Sequence, residues 1–248
     1  MGKLISRREN IEMRDMRRGI DYFQKYLENE TRKILKYKDM AEKVKRERGE
    51  EDTGLKRAYI IIQNSYFNKL NCLYSMGAPI EDIQRLYSEM VQIMNKEWNK
   101  ESGYVRLVWM LSIGNMINVP DHDVNQLREL VVRSHLKDYL VDFLLNDNNK
   151  ILDRTTPSFM FSDPYSILYE VIHASSENEA IEKLKCYLES KWYPGHEDTG
   201  WYDSHKSQHD TYNGYWSYES GAIVKILKLD DTALKDTPYY PYDMVHFK

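Results

Sequence analysis

The sequence predicts an all-α protein, antiparallel helix pairs in one compact helical array with no substantial sheet, and three observations carry that expectation. Apolar residues recur at alternating three- and four-residue intervals along most of the chain, the spacing that lines one face of a helix. Capping patterns, glycines and prolines punctuate those runs where helices should start and stop. Nowhere does strict apolar alternation last long enough for a half-buried strand. With 248 residues, 42% hydrophobic and 30% charged, the chain can build a real core as one large or two small domains.

Ser6-Arg7-Arg8-Glu9 is a capping box that opens the first predicted helix. Met13, Met16, Ile20, Phe23, Leu27, Ile34 and Ala41 give that helix one apolar stripe, and Gly49 stops it. Gly19 inside it costs about 1 kcal/mol relative to alanine, and Glu30 and Thr31 interrupt the stripe, so it reads as a core-facing helix rather than a coiled coil. Asp52 restarts the chain: Leu55, Tyr59, Ile62, Tyr66, Leu70 and Leu73 mark a second helix ending at Gly77. Pro79 opens a third, through Ile83, Leu86, Met90 and Ile93 to about Asn99, and the short loop makes the two antiparallel. A fourth follows Ser102-Gly103 with Tyr104, Leu107, Val108 and Leu111, until Pro120 breaks it. That break divides an N-terminal helical region, 1–120, from a C-terminal one, 121–248.

Beyond the break, Asp121 or Asp123 caps a helix or kinked pair carrying Val124, Leu127, Leu130, Val131, Leu136, Leu140, Phe143 and Leu144. Pro164 starts a short helix through Ile172. Ser176 and Glu179 form a second capping box, before Ile181, Leu184, Leu188 and Trp192. No sequence repeat of fixed period supports a regular solenoid.

Composition narrows the function classes. Apolar runs such as residues 59–62 and 139–145 are far short of the roughly 20 residues a membrane helix needs, and the opening MGKLISRREN has no apolar core of a signal peptide. Cys72 and Cys186 both fall in apolar helical patterns, so buried reduced thiols and a cytoplasmic setting are expected. The net charge of -4 hides an asymmetry: residues 1–60 hold 17 Lys+Arg against 12 Asp+Glu, leaving 18 against 27 for the rest. A negative face of that kind repels nucleic acid and attracts basic protein surfaces.

The densest stretch is 201–247, where His205, His209, several acids, two tryptophans and a run of tyrosines crowd one short helical pattern. His205 and His209, four apart, could share a helix face as metal ligands, with Asp203, Asp210, Glu197 or Glu219 as a third. No glutamate follows the first histidine as a zinc-peptidase motif requires. Neither a phosphate-binding Gly-x-x-x-x-Gly-Lys-Ser/Thr loop nor a Gly-x-Ser-x-Gly elbow occurs, so no complete catalytic set is visible. The structural reading places Trp216 on an apolar face with Ile223, Ile226 and Leu227. Glu219 falls near that face and needs a tyrosine hydroxyl, a tryptophan N–H or a backbone donor if buried. Asp230-Asp231 caps the turn holding Ala233 and Leu234, and Pro238 and Pro241 stiffen the tail so that Tyr239, Tyr240 and Tyr242 dock.

The residues Gly214-Tyr-Trp-Ser-Tyr-Glu219, followed by Leu229-Asp-Asp231 and Tyr240-Pro-Tyr-Asp243, resemble the C-terminal signature of the PoNe-type nuclease immunity proteins. Tyr218 stands where phenylalanine is usual and Gly221 where alanine is usual. The preceding helices look like the family's N-terminal half. The resemblance implies an α-helical cytoplasmic antitoxin that binds and neutralises a cognate polymorphic DNase delivered between bacteria, with no catalysis, cofactor or metal and no direct contact with nucleic acid or membrane. Gly214, Tyr215, Trp216, Glu219, Asp230, Asp231, Tyr240, Pro241 and Asp243 carry over as signature residues that hold the fold. A DNase presents a basic cleft to phosphates, and the acidic balance after residue 60 offers groups to occupy it. Asp121, Asp123, Asp142, Asp147, Glu197, Asp198, Asp203 and Asp210 are the candidate toxin contacts. A helical scaffold, or a metal-dependent hydrolase built on His205 and His209, is the alternative.

Overall fold

A computed structural model describes residues 12–146 and 156–248. Ten α-helices and a few single turns make up its regular structure, and no strand occurs among the described residues. The helices are α1 (Ile20–Arg48), α2 (Thr53–Ser75), α3 (Ile80–Lys96), α4 (Lys100–Met116), α5 (Asp121–Arg133), α6 (Tyr139–Asn146), α7 (Ile167–Ile172), α8 (Glu177–Cys186), α9 (Tyr218–Leu227) and α10 (Tyr242–Val245).

The first helix starts later than its apolar stripe predicts. The Ser6 capping box lies outside the described residues, and residues 12–19 run without helix, leaving Met16 77% exposed. Two competing sets of bonds decide this. Arg14 N and Asp15 N both donate to Ser75 O at 3.0 Å, and Asp15 Oδ1 accepts from Arg17 N at 2.8 Å. Gly19 is then the extended N-cap of α1 rather than a helix-interior glycine. From there Phe23, Tyr26, Ile34 and Ala41 bury one stripe, and Gly49, at φ 86°, closes the last turn through its N–H to Lys45 O.

Asp52 caps α2 by accepting from Gly54 N and Leu55 N. Helix α2 packs against α1 on one side and α3 on another, and is buried over much of its circumference. Pro79 stands one position before α3. Asn99 caps α4 by accepting from Ser102 N. Tyr104, Leu107, Val108, Trp109, Met110, Leu111 and Ile113 are all buried, and a helix apolar all round belongs in the centre of the fold. Around it lie α5, α6, α9 and α10.

The predicted helix or kinked pair after Pro120 is two helices, α5 and α6, parted by His135 in the left-handed region at φ 51°. Pro164 precedes α7 by a turn instead of starting it, because Ser166 N bonds back to Ser162 O at 2.7 Å. Ser176 caps α8 by accepting from Glu179 N, and Glu179 reaches back to Ser175 N and Oγ. The chain continues as a π-helical turn, Tyr187–Trp192, and a 3-10 turn, Pro194–His196. Cys72 is buried as expected, but Cys186 is exposed: it falls on the outer face of α8, away from Ala180, Ile181 and Leu184.

Candidate functional site

The dense C-terminal stretch resolves into an aromatic hub clasped by the segment before α1. Gly214, at φ 110°, brings the backbone so close to α2 that any Cβ would collide with Ser75 Oγ. Ser75 Oγ donates to Asn213 O at 3.0 Å and accepts from Trp216 Nε1 at 2.9 Å. Trp216 stands edge-on to Tyr74 at 4.6 Å. The Tyr215 hydroxyl meets Ser204 Oγ, His205 N and His205 Nδ1 within 3.1 Å. Tyr212 donates to Asp15, Arg18 Nη2 donates to His205 O, and Arg17 lies over the rings of Tyr215 and Tyr239. Arg14 donates to Tyr74 O, Ala78 O and the Asp243 carboxylate.

Glu219 is fully buried at the start of α9, and its Oε1 accepts from Tyr187 OH at 2.8 Å and Ser217 Oγ at 2.7 Å. Burial raises its pKa, while Ser217, Tyr187 and the Trp192 indole pull it back. Asp231 accepts from Tyr240 OH at 2.6 Å and faces His246 Nε2 at 2.9 Å. Asp230, exposed, caps the Thr232–Leu234 turn through Thr232 N and Oγ1. Pro241 packs on Gly221, whose absent side chain lets α9 approach Met116 of α4.

His205 and His209 do not share a helix face. His205 sits in the Ser204–Lys206 turn with Nδ1 against Tyr215 OH at 2.9 Å, and His209 lies in the irregular chain beyond it. Among the described residues no three His, Cys, Asp or Glu side chains gather at metal-binding geometry.

The candidate toxin contacts separate by burial. Asp123 and Asp142 are fully buried and cannot touch a partner. Asp123 accepts from Ser88 Oγ at 2.5 Å, joining α5 to α3, and Asp142 accepts from Thr156 N at 2.9 Å. Asp138, which the sequence did not single out, is buried too: it caps α6 through Val141 N and holds Met160 N and Tyr104 OH. Asp147 lies outside the described residues. Asp203 is tied to Lys206 and Tyr193, and Asp210 to Lys25. Asp121 is exposed at the start of α5. Glu197 and Asp198 are exposed on the turn after His196, and neither makes an ion pair or hydrogen bond with a described side chain.

That turn borders a cleft of about 330 Å³, lined by Glu101 and Arg106 of α4, Phe161 and Asp163 before α7, and Asp198 and Trp201. Its inner wall is Trp109, whose ring lies 6.3 Å from that of Trp201. His196 fixes the turn: buried, it faces Tyr165 OH at 2.9 Å and Trp192 O at 2.5 Å, and burial lowers its pKa to about 4. Sequence reasoning missed Glu101, Asp163 and the cleft because they come from segments far apart in the chain.

The fold is similar to the crystal structure of protein PA2201 from Pseudomonas aeruginosa, with a TM-score of 0.61 and 14% identity over 96% of this chain and 91% of that one. No curated protein matches the sequence. The family profile described as PoNe immunity protein (PoNi), N-terminal, matches residues 10–129, and that described as PoNe immunity proteins (PoNi), C-terminal, matches residues 136–244. With both halves matched, the chain belongs to the PoNe immunity proteins, and its function is immunity to a nuclease toxin.

Proposed function

We propose that the protein neutralises its cognate nuclease in the cytoplasm as a binding partner, without chemistry of its own, by placing an acidic surface in the toxin's basic DNA-binding or active-site cleft. The observation that carries this reading is that Glu101, Asp163 and Asp198 line one cleft, with Glu197 on the same turn as Asp198. Glu101, Asp163, Glu197 and Asp198 are exposed, and their carboxylates make no hydrogen bond or ion pair with described residues, whereas Asp203, Asp210 and Asp243 already hold cationic partners. Asp121 lies past the opposite end of α4, about 25 Å away at 1.5 Å per residue over 17 residues. It therefore serves as a distant control. The signature residues face inward or bond to the chain itself, which supports a role in holding the fold. Two free cysteines suit a reducing compartment.

The test is inhibition of the cognate PoNe-type nuclease. Glu197→Lys combined with Asp198→Lys is expected to weaken inhibition about tenfold or more at low salt, with the difference shrinking as salt rises, and Asp121→Lys to leave it near the parent value. Unchanged affinity for reversals at Glu101, Asp163, Glu197 and Asp198 alike would sink the acidic-surface reading.

A further inference from the structure

Building on that reading, we infer that the cleft between the start of α4 and the turn at 196–201 is a socket for one arginine side chain of the nuclease. Three acidic residues from three separate segments line the same space: Glu101 in the first turn of α4, Asp163 before α7, and Asp198. None has a partner among the described residues. They are not gathered closely enough with another donor to hold a metal ion, as no such group of three exists among the described residues. The occupant is therefore a cation that reaches in several directions.

The walls name that cation. Trp201 is half-buried, stacked on Trp192 at 5.6 Å, and Phe161, itself exposed, packs on Tyr104 at 5.0 Å, so two aromatic rings line the cleft. A guanidinium is planar and weakly hydrated, stacks on aromatic faces, and carries five donors in a fixed fork. An ammonium is a compact, strongly hydrated point charge that prefers water to such a surface. Trp109, 5% exposed, backs the cleft between those rings. An arginine side chain answers both features, a cation for the carboxylates and a planar face for the rings.

Arg106 also lines the cleft, but its Nη1 donates to Gln63 Oε1 at 3.2 Å and its guanidinium lies over Phe67 at 5.6 Å. Three carboxylates against one guanidinium leave the space negative. Its volume of about 330 Å³ lies at the small end of the range for ligand sites, roughly 300–1,000 Å³, and suits one long side chain rather than a helix. Nucleases must carry cationic residues to hold phosphates, so the partner has arginines to offer.

The test uses the full chain and two probes, N-acetyl-L-arginine methylamide and N-acetyl-L-lysine methylamide, titrated while the five tryptophan indole resonances are followed by NMR. The arginine probe is expected to shift Trp109 and Trp201 with a dissociation constant on the order of millimolar, as suits so small a ligand, and to bind at least about fivefold tighter than the lysine probe. Asp163→Asn with Asp198→Asn abolishes those shifts and weakens nuclease inhibition about tenfold. Equal response to both probes, or shifts that survive the double substitution, overturns the socket. If the probes fail while the Glu197 and Asp198 reversals still weaken inhibition, the socket falls and the acidic surface stands. If the probe binds but the double substitution leaves inhibition intact, the cleft is not where the toxin's arginine enters, and the inference is again overturned.

Discussion

Removing one hydroxyl, in Ser75→Ala, should destabilise the protein far more than a surface serine would. Ser75 is fully buried at the end of α2, donates to Asn213 O and accepts from Trp216 Nε1. Alanine keeps the backbone carbonyl that receives Arg14 N and Asp15 N, so the loss is confined to those two bonds. Each buried group left without a partner costs roughly 1–3 kcal/mol, giving about 3 kcal/mol together. For a chain of this size that lowers the melting temperature by about 6–12 °C. Circular-dichroism melts of the parent, Ser75→Ala, Trp216→Phe and the double variant form a cycle. In the Ser75→Ala background Trp216→Phe should cost about 1–2 kcal/mol less than in the parent, because the orphaned indole N–H goes with the ring. A coupling within about 0.3 kcal/mol of zero would refute the claim that this bond ties the signature to α2.

Gly221→Ala should also destabilise, by about 1–3 kcal/mol in denaturant melts, since the new Cβ would sit 2.6 Å from Met116 Sδ, 2.7 Å from Pro241 Cγ and 3.0 Å from Val245 Cγ2; a neutral or stabilising result means α9 and α4 can part without cost. His196, with its folded pKa lowered from 6.5 to about 4 by burial, contributes stability that is complete above pH 6.5 and lost as pH falls toward 4, because only the unfolded chain binds the proton in that window. In NMR titration its ring should stay neutral at pH 5.5, and a midpoint near 6.5 would contradict its burial. One thiol per native chain, Cys186, should react with a disulfide reagent and the second, Cys72, only after unfolding, since Cys72 is buried and its pKa is raised to about 12; two fast thiols would place Cys72 at the surface.

The helices were legible where apolar spacing and caps agreed, and misread where one long-range contact competed. Met13 and Met16 continue the stripe of α1, yet Ser75 O and the Asp15 turn take the backbone donors there, and no local rule encodes an acceptor 60 residues away. The burial of Asp123 and Asp142 was readable in retrospect. Asp123 precedes Leu127 and Leu130 by four and seven residues, on their face of the helix, and Asp142 interrupts the apolar run of residues 139–145. An acid in such a position is an internal bond partner before it is a contact surface. The cleft was illegible for a different reason: Glu101, Asp163 and Asp198 each look like an ordinary surface acid, and only the packing of α4 against the turn after His196 brings them to one space.

The recognisable signature and the proposed socket are nevertheless mechanically joined. Glu219 holds Tyr187 by a hydrogen bond and lies against the Trp192 indole, the first and last residues of the π-helical turn. Trp192 in turn carries His196 through its carbonyl and Trp201 through its ring, and those two residues set the turn that presents Asp198. A change at Glu219 therefore reaches the cleft only by loosening the fold, so stability and toxin affinity fall together. A change at Asp163 or Asp198 breaks no side-chain hydrogen bond or ion pair among the described residues, so on the proposed reading affinity falls alone. That difference separates the buried residues that build the fold, Tyr215, Trp216 and Glu219 among them, from the surface acids proposed to meet the toxin.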